Sequence, residues 1–166
     1  MNKLLKVLLI LFTIFISIVS VQFIIKTINS NEKKEIKETH MTSEQMEVQT
    51  MTTISDIVLN QLLENVILNI DLSQNKKGFD VVLYLQANEF ISEDTLLKDS
   101  YNLLIPIQQV KTIHDFTIKW HMLVKNKNTE VLILSFNEDT IATIEKYSYM
   151  DLTQLATTYV RHKSLH

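Results

Sequence analysis

Cysteine is absent from the 166 residues. Disulfides, thiolate nucleophiles and cysteine-ligated zinc are excluded together, and so is a lipid-modified N-terminal cysteine. Glycine occurs once, as Gly78. Phosphate-cradling loops, dinucleotide fingerprints and nucleophile elbows all need glycines where backbone approaches a ligand or takes positive φ, so none of them fits this chain. Gly78 follows Asn75, Lys76 and Lys77 between two apolar runs, where turn chemistry is expected. Arginine also occurs once, as Arg161, and the net charge is −3. A nucleic-acid reader needs a basic stripe with arginine forks, so no nucleic-acid partner is expected. The scarcity of Gly and Pro beside abundant Ile, Lys and Asn fits an A+T-rich bacterial coding genome.

The most conspicuous feature present is the run VLLILFTIFISIVSVQFII, residues 7–25, without charge, Gly or Pro. As a helix it is about 28 Å long, close to the roughly 30 Å hydrocarbon core of a bilayer. Thr13, Ser17, Ser20 and Gln22 can return hydrogen bonds to the backbone or sit near the end, so none forbids insertion. The run exceeds the apolar core of a secretory signal, and Ile18 stands at the −3 position of the best cleavage site, after Ser20. An uncleaved transmembrane signal anchor is therefore expected, contacting the lipid bilayer through residues 7–25, behind a short basic head at 1–6. Lys3 and Lys6 before a long following domain suit a cytoplasmic N-terminus and an extracytoplasmic C-terminal domain, although Lys26, Lys33, Lys34 and Lys37 weigh the other way.

Residues 26–50 are polar and charged, with Ile28, Ile36, Met41 and Met46 too scattered for a heptad seam, and read as a linker or stalk. The remaining 51–166 is rich in periodic Ile, Leu and Val and long enough for one core. Ile54, Ile57, Val58 and Leu62 predict a short helix over 54–65. Val66, Leu68, Ile70 and Leu72 predict one face of a strand, and Phe79, Val81, Leu83 and Leu85 the inner face of a second. Ser92, followed by Glu93 and Asp94, predicts the cap of a helix running to about Ile105 that buries Leu96, Leu97, Ser100, Leu103 and Leu104, with Pro106 ending or kinking it. Phe116–Val124 and Val131–Phe136 predict two more strands joined by a turn at Asn126–Asn128. Asp151 looks like the cap of a last helix over Leu152–His162. The expected fold is α+β: an N-terminal transmembrane helix, a polar linker, and one small domain of order αββαββα whose mainly antiparallel sheet is covered by helices. From the second strand onward, the order βαββα resembles the small ring-building modules of bacterial secretion and sporulation assemblies, which also sit behind membrane anchors. The resemblance is one of element order and carries no residue across.

No catalytic constellation stands out. His162 and His166 have the i, i+4 spacing of a helical metal pair but lie in the last turn without a third ligand. His114, with Asp115 beside it, and His121 are read as solvated, because a general acid–base pair needs a cleft and a partner. Glu89, Glu93, Asp94 and Asp99 are too sparse for a calcium loop, and the first three suit a helix start. No cofactor, metal or small-molecule ligand is expected. Tyr147 and Tyr149, in a stretch without clear periodicity, are the candidate interaction surface. The function expected is a membrane-anchored, non-catalytic interaction or assembly module of the bacterial envelope, whose partner is another envelope protein or a second copy. The alternatives are a small extracytoplasmic hydrolase built on His114 or His121, and an immunity or inhibitor protein.

Overall fold

The computed structural model describes residues 41–62 and 67–165. The expected anchor at 7–25 and most of the expected linker lie outside the described residues. Among the described residues, no helix is long and apolar enough to cross a membrane.

Helix α1 spans Ser43–Gln61. It begins well before the 54–65 helix expected from apolar spacing, because its start is set by a capping box rather than by periodicity. The Thr42 side chain accepts from the Gln45 backbone N–H, and the Gln45 side chain accepts from that of Thr42. Strands β1 (Ile67–Gln74) and β2 (Phe79–Gln86) form an antiparallel hairpin closed at Gly78. Gly78 has φ +155°, and a Cβ there would stand 2.5 Å from the Thr112 carbonyl oxygen, so the turn accepts no larger residue. Helix α2 (Glu93–Ile107) carries the chain across to β3 (Ile113–Val124), which pairs with β2 in parallel. A two-residue turn at Lys125 and Asn126, both at positive φ, reverses it into β4 (Lys127–Asn137).

The expected last helix over Leu152–His162 is not formed. After β4 come short helix α3 (Glu138–Ala142), single turns at Ile144–Lys146 and Tyr149–Asp151, and α4 (Leu152–Leu155). Strand β5 (Thr158–Arg161) then adds antiparallel to β4. Asp151 does not cap a helix. Its carboxylate accepts from Ser148 N and Ser148 Oγ, both at 2.8 Å, holding the turn before α4. Leu134–Tyr159 and Leu132–Arg161 are in register, so Tyr159 and Arg161 share the inner side of the sheet with Leu132 and Leu134. Both reach Glu93 at the start of α2, Arg161 with an Nη1–Oε2 distance of 2.8 Å. This docking outweighs the local helical spacing of Leu152, Leu155, Ala156, Tyr159 and Val160.

The product is an α+β domain with a five-stranded sheet in the order β1-β2-β3-β4-β5, antiparallel at every junction but β2–β3. The inner face joins Val81, Leu83, Leu85, Phe116, Ile118, Trp120, Leu132 and Leu134 to Ile54 and Val58 of α1 and to Leu96, Leu103 and Leu104 of α2 in one core. Inside it, Trp120 Nε1 donates to Ser100 Oγ at 2.9 Å, satisfying two buried polar groups at once. Strand β1 departs from strict alternation. A bulge between Ile67 and Asn69 turns Leu68 out to solvent, while Ile67, Ile70 and Leu72 pack on the core. A second bulge places Val131 and Leu132, adjacent in sequence, both inside.

Candidate functional site

Three features of the domain exceed what folding requires. The first is the outward face of α1. Its inward face is Met46, Thr50, Ile54, Ile57 and Val58. On the far side Val48, Met51, Ser55 and Leu59 follow one another at three- and four-residue steps, preceded by Met41. Val48 is 62% exposed and Leu59 54%, with Met41 and Met51 exposed as well. The hydroxyls on this side are already satisfied within the helix: Thr52 donates to the Val48 carbonyl at 2.8 Å and Ser55 to that of Met51 at 3.0 Å. The stripe is thus less polar than its sequence reads. Its charged neighbours are Glu44, Glu47 and Asp56, and α1 contains no Lys or Arg.

The second feature is Phe90, 97% exposed with φ +72°. An aromatic side chain in the left-handed region costs on the order of 1 kcal/mol or more, and this one recovers nothing by burial. It borders a shallow cleft of about 430 Å³ with Met122, exposed Leu123 and Val124.

The third is a polar cluster where the β1–β2 turn meets the start of β3. The parallel pairing of β2 and β3 slips by one residue between Phe79–Ile113 and Asp80–Asp115, which makes His114 the extra residue of a bulge. Consecutive His114 and Asp115 thereby both reach Asp80. His114 Nδ1 lies 3.0 Å from Asp80 Oδ1 and 3.6 Å from Asp115 Oδ1. Asn75 Nδ2 donates to Asp80 Oδ1 at 2.6 Å, and Asn75 Oδ1 accepts from the backbone N–H groups of Lys77 and Gly78, which fixes that amide. Burial opposes ionisation of Asp80, but hydrogen bonds from Asn75 and His114 and the charge of His114 outweigh it. They hold the carboxyl below its ordinary range. All three side chains are half-buried, and their ligand atoms lie within 4.8 Å of one another. These are the described residues best suited to hold a metal ion.

The residues singled out from sequence distribute unevenly. Tyr147 is exposed, and its carbonyl accepts from Tyr101 Oη at 2.8 Å. Tyr149 is half-buried, with Lys98 Nζ 4.9 Å from its ring centre, and between them and the last short helix Met150 is exposed. His114 is not a merely solvated side chain, being paired with Asp80. His121 is half-buried beside Tyr84, and its Nε2 is sealed from solvent without a hydrogen-bond partner among the described residues. His162 follows β5 in a turn and accepts from Ser164 N, and His166 lies outside the described residues. Asp99 is separate from Asp94, which pairs with Lys98 at 2.7 Å. It lines a cleft of about 450 Å³ with Gln61, Asn102 and Trp120. Burial raises its carboxyl above the ordinary range. Asp80 was the partner that sequence spacing missed: it is 34 residues from His114 and reaches it only through the parallel strand pair.

Comparison with known proteins finds no match to a family model, to a curated protein or to a solved structure.

Proposed function

We propose that the chain is a single-pass membrane protein, anchored through residues 7–25 with its N-terminus cytoplasmic. Its α+β domain would act as a non-catalytic protein-interaction module of the bacterial envelope. The anchor rests on the length and apolarity of that run. The interaction role rests on the two-sided apolarity of α1. A helix that only needs to cover a sheet keeps one apolar stripe, and a second one facing water marks a contact surface. The occupant favoured is another protein with an apolar surface rimmed by Lys or Arg. Glu44, Glu47 and Asp56 flank the stripe without a balancing cation on the helix, so pairing α1 with α1 of a second copy would bring like charges together.

Strand addition is a poorer route. Strand β4 is covered by β5, and the outer edge at β1 is interrupted by its bulge. The hydrolase reading has the His114–Asp80 pair in its favour. None of the three clefts lined by Trp120, Pro106 or Phe90 includes either residue, and no nucleophile stands beside them among the described contacts.

Site-specific photo-crosslinking in intact cells tests the reading. A crosslinker at Val48 or Leu59 should yield one discrete protein adduct, and one at exposed Asn128 should yield none. Equal labelling from all three positions refutes the docking face. A homodimeric adduct replaces the basic-rimmed partner with a second copy.

A further inference from the structure

We propose that Asp80, His114 and Asp115 bind one divalent transition-metal ion of the zinc class. The donor set is mixed, one imidazole nitrogen and two carboxylates, and comes from two strands rather than from a run of surface acids. Zinc takes nitrogen and carboxylate oxygen at about 2.0–2.2 Å, so two ligands of one ion stand about 2.9–3.5 Å apart, from octahedral to tetrahedral angles. The separation from His114 Nδ1 to Asp80, 3.0 Å, lies within that range, and that to Asp115, 3.6 Å, just beyond it, so binding an ion draws the Asp115 carboxylate inward.

The backbone gives this geometry a cause. Regular alternation would send His114 and Asp115 to opposite faces, and the bulge brings both to the Asp80 side. It also leaves Asp80 and Asp115 in register on adjacent strands, a like-charge pair whose repulsion a bound cation would relieve. Asn75 supplies the outer-shell contact expected of a ligating carboxylate. Its Nδ2 holds Asp80 while its own oxygen is tied to the turn backbone. The ligands are half-exposed, which gives an ion a path in and leaves its remaining coordination positions to water. The imidazole favours Zn²⁺, Co²⁺ or Ni²⁺ over Mg²⁺ and Ca²⁺, which prefer all-oxygen sites. Bound there, the ion would tie β2 to β3 at the sheet's one parallel junction.

The test is titration of the full chain with ZnCl₂ by calorimetry, with CoCl₂ absorption as the spectroscopic readout and CaCl₂ as the contrast. One Zn²⁺ per chain, d–d bands with Co²⁺, and no comparable response to Ca²⁺ are expected. His114→Ala and the more exposed Asp115→Asn should each weaken Zn²⁺ at least tenfold, the usual scale for loss of a ligand or its support. His162→Gln should leave it unchanged. Circular dichroism of each variant separates lost binding from lost folding, and Asp115→Asn keeps the test open should His114→Ala unfold. No saturable Zn²⁺ binding at millimolar concentration overturns the proposal and leaves a plain His114–Asp80 pair. Binding that survives both cluster variants, or that His162→Gln removes, also overturns it.

Discussion

Ser100→Ala probes the most constrained polar contact in the core. Ser100 and Trp120 are both buried, and the indole N–H donates to the serine oxygen at 2.9 Å across the α2–β3 packing. Removing the hydroxyl leaves a buried donor without an acceptor, at about 1–3 kcal/mol. Alanine's better helix propensity returns about 0.5 kcal/mol on α2, so the net loss should be about 0.5–2.5 kcal/mol. At about 4 °C per kcal/mol for a domain of this size, Tm falls by roughly 2–10 °C. The decisive comparison is the same change in a Trp120→Phe background. Phenylalanine has no donor to orphan, and the Ser100 hydroxyl can turn to the carbonyl one turn back along α2, so Ser100→Ala should then cost under about 0.5 kcal/mol. Urea unfolding followed by circular dichroism measures all four corners of the cycle. Trp120 is the only tryptophan, so its fluorescence confirms that Ser100→Ala keeps the indole buried. Equal cost of Ser100→Ala in both backgrounds would refute the hydrogen bond as the cause.

Asp99 carries a raised carboxyl pKa in the folded state through burial, so the native form takes up its proton first and stability falls as pH rises through that interval. Asp99→Asn should therefore raise the urea midpoint at pH 7, with the gain disappearing near pH ~3, below the ordinary carboxylate range. A fragment of residues 41–166 should fold alone, since it forms a compact unit with its own core. A fragment starting at Ile54 should lose cooperative unfolding, because it discards the Thr42–Gln45 capping box, Met46, and the Thr50–Thr112 contact of 2.8 Å that seat α1. Leu11→Arg combined with Ile14→Arg should release the chain from the membrane fraction. Each central charge costs about 2.5–3.5 kcal/mol on insertion scales, against about 0.3–0.6 kcal/mol gained per strongly apolar residue. Retention of that double variant in carbonate-washed membranes would contradict the anchor.

Where local chemistry and burial agree, the elements were legible from residues alone. Strand β2 has the expected alternation, with Phe79, Val81, Leu83 and Leu85 buried. Helix α2 starts from Ser92, whose side chain accepts from Thr95 N, and buries the five residues expected of it. Helix α1 was only half legible, because its first turns carry Thr50 and Met46 inward while Val48 and Met51 face out, which blurs a single apolar stripe. The C-terminus misled for a different reason. Its helical spacing is real, but β4 offers an unpaired edge, and Glu93 offers a partner for Tyr159 and Arg161. Glu93 lies more than sixty residues away and leaves no trace in a local window.

The sequence by itself determined the class of the domain, most of its strands, the turn at Gly78 and the cap of α2, because alternation, capping and turn chemistry act over a few residues. It also excluded chemistries that need cysteine or glycine-rich loops. Tertiary structure alone decided that α1 has an outward apolar face, since exposure depends on what packs against a helix and not on the helix itself. It alone decided that the last segment is a strand. It also alone brought Asp80 to His114 and Asp115, because a one-residue slip in a parallel strand pair has no signature in either strand's own sequence.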